Sequence, residues 1–129
     1  MSKTPEQKVR WHIIRNLPVR MKQLLYLHDY EKLNAKDIGE VLSIPAESVR
    51  RRVDNCRALI DQRVRLYLDR ARTRLKATES ELTLVEGELD AALLRGDIAK
   101  AANAGRKKDV LEWRVERIRQ IVDALEAWG

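Results

Sequence analysis

The sequence has no phenylalanine, only three Trp and three Tyr, one cysteine, three prolines and five glycines among 129 residues. Each shortage excludes something. With so few large rings the core must be mostly aliphatic, which disfavours one compact globule and suits extended helices. Few Gly and Pro leave little material for the many turns of a sandwich or barrel. Cys56, alone, can form neither an internal disulfide nor a cysteine-cluster zinc site, so the chain needs no oxidising compartment. No apolar run approaches the roughly 18 residues of a membrane span, and Met1-Ser2-Lys3-Thr4-Pro5 lacks the apolar core of a secretory signal. The expectation is an all-α cytoplasmic protein without membrane contact.

Charge and helical periodicity are what the sequence has in quantity. There are 26 Lys+Arg against 20 Asp+Glu, a net charge of +6, and the excess is unevenly spread. Residues 1–60 hold 12 basic and 7 acidic side chains. From Arg50 to Lys76 ten basic residues stand against Asp54, Asp61 and Asp69; beyond them Glu79, Glu81, Glu86, Glu88, Asp90 and Asp97 stand against Arg95 alone. A charge run is usually a solvated helix face, but a basic block beside a DNA-reading motif points to a polyanion.

Thr4-Pro5-Glu6-Gln7 is a capping box with Pro at the first helical position, so a helix should run over about 5–15. Leu17-Pro18 breaks the chain and opens a second helix over about 18–30. Val9, Ile13 and Ile14 in the first, with Met21, Leu24, Leu25 and His28 in the second, form facing stripes at helical spacing. Asn34 caps a short third helix, with Asp37 answering the free amides of its first turn. After Ser43-Ile44-Pro45 a fourth helix begins at Ala46. Ile38, Val41 and Leu42 should point inward, Ile44 should plug the turn, and Val49, Val53, Cys56 and Ile60 recur at intervals of four, three and four. That is helix-turn-helix spacing.

The apolar stripe of the fourth helix leaves Glu47, Ser48, Arg51 and Asn55 facing away from the core, flanked by Arg50 and Arg52. Arg can bond guanine O6 and N7, Asn can pair with adenine, Glu can accept from cytosine N4, and flanking Arg side chains can reach phosphates. These six residues are the candidate contacts to double-stranded DNA.

Leu17-Pro18, Leu25, Ala35, Ile38, Val41-Leu42, Ile44, Val49, Arg52 and Val53 make the stretch from about Leu17 to Ile60 resemble the C-terminal, region 4 helix-turn-helix of sigma factors. Ser43 stands where that pattern usually has Gly. The resemblance implies a DNA-binding domain, assigned here to residues 1–60.

Residues 61–129 read as an oligomerisation domain. Between Ala46 and Leu94 there is no Pro and only Gly87, so the recognition helix can continue unbroken as a rod of about 49 residues and ~74 Å. Val64, Leu68, Ala71, Leu75, Thr78, Leu82, Val85, Leu89 and Ala92 alternate four and three apart, the spacing of a coiled-coil seam. Gly96 can end this helix in the left-handed conformation and Asp97 can cap the next. Gly105 should loosen the return helix, which then strengthens and ends around Trp128. Leu111, Val115, Ile118, Val122 and Leu125 form its seam. Val110, Trp113, Ile121, Ala124 and Trp128 broaden its apolar face beyond what one antiparallel partner covers, which predicts a homo-oligomer formed through the hairpin.

No catalytic constellation is visible. His12 and His28 lie on different helices with no acidic cluster spaced for metal, Cys56 falls on a buried stripe, and the glycines form no phosphate loop. Neither an enzyme, a metal site nor a cofactor is expected. In domain order, size and charge, the layout of a helix-turn-helix followed by a helical hairpin resembles phage small terminase subunits. That resemblance implies recognition of packaging-site DNA in a bacterial host cell and a large terminase ATPase/nuclease as partner. The alternatives are a helix-turn-helix transcription regulator, dimeric or sigma-like, and a coiled-coil adaptor that binds no DNA.

Overall fold

The computed structural model describes residues 4–128, and these are helical throughout apart from short connections. The chain divides into two compact units, Met1–Leu66 and Tyr67–Gly129. Helix α1 spans Pro5–Arg15. Its capping box is formed in full: the Gln7 N–H donates to Thr4 Oγ1 at 3.1 Å, and the Thr4 N–H donates to Gln7 Oε1 at 3.0 Å. Helix α2 spans Val19–Leu25, opened by Pro18.

The expected helix over 18–30 changes character partway. Residues Tyr26–Tyr30 form a π-helical turn, closed by the Glu31 N–H donating to the Tyr26 carbonyl at 2.9 Å. Two side-chain contacts hold the wider turn. The Tyr26 ring stacks on Tyr30 with centroids 5.1 Å apart, and the Tyr26 hydroxyl donates to Glu31 Oε1 at 2.8 Å. That hydrogen bond, with the negative charge of Glu31, raises the Tyr26 pKa above the usual phenol value.

Helix α3, Ala35–Leu42, is capped by the Asn34 side chain, which accepts from the Asp37 N–H at 2.9 Å. Helix α4 then runs unbroken over Ala46–Arg95, its first part belonging to the first unit and the remainder to the second. In the first unit Leu24, Ile38, Val49 and Val53 form a buried cluster, joined at its edges by Leu27, Leu33, Ala35, Leu42 and Ile44. Cys56 and Ile60 continue the buried stripe of α4, and Ile13 and Leu17 are buried too. Val41 departs from the expected inward set. It is 61% exposed, because Ile38 and Leu42 already span the face of this two-turn helix that meets the core.

Helix α5, Ile98–Glu126, returns along α4 in the second unit. The reversal uses Gly96 at φ +68° and the Asp97 side chain, which accepts from the Lys100 N–H at 3.1 Å. Every expected seam residue of α4 from Val64 to Ala92 is buried or half-buried, as are Leu111, Val115, Ile118, Val122 and Leu125 of α5. Val85, Ala104 and Leu111, with Leu82 and Leu89, pack across the hairpin. Gly105 does not loosen α5 as expected. One glycine costs a long helix only about 1 kcal/mol, which packing on both sides of it offsets. The helix closes at Glu126, slightly before the expected end.

Candidate nucleic-acid interface

The turn between α3 and α4 sets the angle at which the candidate surface is presented. Ser43 adopts the left-handed conformation at φ 58° and ψ 44°. The N–H groups of Ser43 and Ile44 both reach the Gly39 carbonyl, the latter at 2.9 Å. Gly39 permits this closeness. A Cβ built on it would lie 2.6 Å from the Ile44 carbonyl oxygen. In sequence Gly39 is one isolated glycine among others; the close approach belongs to the tertiary structure.

Val49, Val53 and Cys56 fix the buried side of α4. Of the six candidate residues, Glu47, Arg50, Arg51, Arg52 and Asn55 are exposed and Ser48 is half-buried. They do not form one flat surface. At about 100° per residue, Arg51 lies opposite the buried stripe, Glu47 and Arg50 fall on one flank, and Ser48, Asn55 and Arg52 fall on the other. Arg52 and Asn55 line a groove with Leu42 of α3 and Arg20, Met21, Gln23 and Leu24 of α2. Its rim has two guanidinium groups and two amides, and no carboxylate lines it.

Arg20 and Gln23 are not among the six candidates, because the apolar stripe of α2 does not include them. Their position one step to the side of Leu24 was the available signal. Conversely, the basic block of α4 is not all available to a ligand. Arg63 donates to the carbonyl of Asn16, at the C-terminal end of α1, at 2.7 Å, and Arg72 donates to Glu126 at 2.9 Å. Asn16 in turn donates to the His12 carbonyl, and Lys22 donates to that of Arg15, so these bonds close the end of α1.

Cys56 is fully buried, and loss of solvation, followed by the negative charge of Asp29, raises its thiol pKa against a smaller opposing effect of Arg57. A thiol held neutral is a packing group rather than a nucleophile. Among the described residues no three His, Cys, Asp or Glu side chains come together as a metal site, and no helix is long and apolar enough to cross a membrane.

Residues 13–59 match the family Sigma-70, region 4. The matched stretch takes in the end of α1, α2, the π turn, α3 and the first part of α4. The first unit therefore contains a sigma-region-4-like helix-turn-helix, a DNA-binding unit. No curated protein and no solved structure matches the chain.

Proposed function

We propose that this protein is an oligomeric DNA-binding subunit of the small terminase type, recognising duplex DNA for viral genome packaging in a bacterial host cell. The observation that supports it most is the union of the region 4-like helix-turn-helix with a helical hairpin through one uninterrupted helix, α4. Arg51, opposite the buried stripe, enters the major groove and reads a base edge, with Glu47, Ser48 and Asn55 adjoining it. Arg50 and Arg52 flank it and hold phosphates, Arg20 and Gln23 joining Arg52 where one DNA strand passes the α2 groove. The hairpin gathers several copies, which multiplies weak individual contacts. No catalytic step, metal or cofactor is assigned to the chain; ATP hydrolysis and DNA cleavage would fall to a large terminase partner.

A transcription regulator is the second reading, favoured by the match to Sigma-70, region 4. Stoichiometry and target separate the two. A mass of many subunits by light scattering, with binding to packaging-site DNA, supports the first; a clean dimer on a single palindrome supports the second and overturns the first. Both require DNA binding that falls steeply with salt, by about 0.9 log units in affinity per log unit of salt for each phosphate contacted. Charge reversal of Arg51 and Arg52 is expected to weaken duplex binding without changing oligomer mass. Arg51→Ala should alter base preference, whereas Arg20→Ala should weaken all sequences equally and reduce the salt slope by about 0.9. No binding to any duplex in dilute buffer would leave only the coiled-coil adaptor.

A further inference from the structure

The two long sides of the hairpin treat charge differently. On one, Arg72 meets Glu126 at 2.9 Å and Arg119 lies 3.9 Å from Glu79, so cross-helix charges are paired within the chain. At about 100° per residue, Glu81 and Glu88 of α4 and Lys107 and Arg114 of α5 fall on the opposite side of the seam. Two grooves follow the seam there and share Lys107. One contains Glu81 and Arg114, the other Glu88 together with Arg95 of α4 and Lys100 of α5, so each carboxylate has a cation across the groove. Glu81, Glu88, Lys107 and Arg114 are exposed, and among the described residues none of them forms an ion pair. Apolar surface accompanies them: Leu84 is 70% exposed and Val110 is 49% exposed.

We propose that a second copy of this chain docks on this side of the hairpin about a two-fold axis parallel to the helices. Glu81 and Glu88 of each copy then meet Arg114 and Lys107 of the other, with Leu84 and Val110 covered between them. The symmetry follows from the charge pattern. On α4 this side carries Glu81 and Glu88 and ends on Arg95, whereas on α5 it is basic throughout, with Arg114, Lys107 and Lys100. Rotation about an axis along the groove lays both carboxylates on cations at unchanged height, and only Arg95, at the closed end of the hairpin, meets like charge. Rotation about an axis across the groove would lay acid on acid. The product is an antiparallel four-helix bundle whose contact surface is the same on both partners; it closes at two copies, so an assembly of many subunits joins such pairs through a further contact.

This inference rests on self-association through the hairpin, and the experiment separates the two. Sedimentation velocity is run on the full chain and on two variants, Glu81→Lys/Glu88→Lys and Lys107→Glu/Arg114→Glu, with circular dichroism showing that helicity is kept. Each variant alone should self-associate at least about tenfold more weakly, because like charges face each other. An equimolar mixture should pair again, and a chain carrying all four substitutions should recover the parent's self-association. A monomeric parent would overturn the oligomeric reading and the interface together. An oligomeric parent whose mass neither variant changes would overturn the interface alone, as would folded variants that dissociate but do not pair on mixing.

Discussion

Gly39 and Ser43 lie at the two ends of one tight turn and should respond to substitution with opposite sign. At Gly39 an added methyl meets backbone, the Ile44 carbonyl oxygen, which cannot swing aside. Gly39→Ala is expected to destabilise the first unit by about 1 to 3 kcal/mol through overpacking. Ser43 bears a side chain at φ 58°, where glycine is free of the steric penalty. Ser43→Gly should therefore stabilise by a few tenths to about 1 kcal/mol; urea unfolding of both variants measures the pair. Cys56 adds a dependence on pH. Its pKa is raised in the folded chain, so below the ordinary thiol pKa of about 8.5 both states hold the proton, and above it the unfolded state loses the proton first. Stability should fall as pH climbs through and beyond about 8.5, and the fall should be smaller in Cys56→Ala.

Helix α5 tolerates a glycine in its interior because its neighbours are held by the seam. No atom lies within 4 Å of a Cβ placed on Gly105, so alanine there meets no obstacle. Gly105→Ala is expected to stabilise the second unit by about 0.5 to 1 kcal/mol, read as a shift in the denaturant midpoint at unchanged slope. Within α4 the same sequence pattern serves two ends. Its first turns put Val49, Val53 and Cys56 into the buried side of the first unit, and from Leu68 onward the four-three alternation serves the hairpin with α5. Periodicity made that legible along the whole helix. The π turn at Tyr26–Tyr30 was not legible, because an extra residue per turn depends on the Tyr26–Glu31 hydrogen bond and the Tyr26–Tyr30 stack rather than on apolar spacing.

For the molecule as a whole, assembly and DNA binding should come apart on mutation. Leu82 and Leu89 pack against the buried Val85, Ala104 and Leu111 cluster. Leu82→Asp/Leu89→Asp puts two charges into that contact, so the hairpin should open and oligomer mass should fall first. Apparent DNA affinity should then drop toward that of a single site, while the preference among sequences stays the same, since the candidate contact residues of α4 are untouched. A change in preference would show that the hairpin itself contributes to reading DNA. Binding isotherms on matched and mismatched duplexes, beside light scattering, measure both quantities.

Residue order alone determined the helices, their caps and the stripes that make the core, because these depend on neighbours within a few positions. The Thr4 capping box, the Asn34 and Asp97 caps, the Gly96 reversal and the α4 seam are all of this kind. Tertiary structure decided which charged groups remain available. Arg63 and Arg72 look like their basic neighbours in sequence, yet one closes the end of α1 and the other pairs with Glu126, while Arg20 joins Arg52 at a groove. Those pairings join residues dozens of positions apart, and local spacing holds no record of a distance that only packing creates.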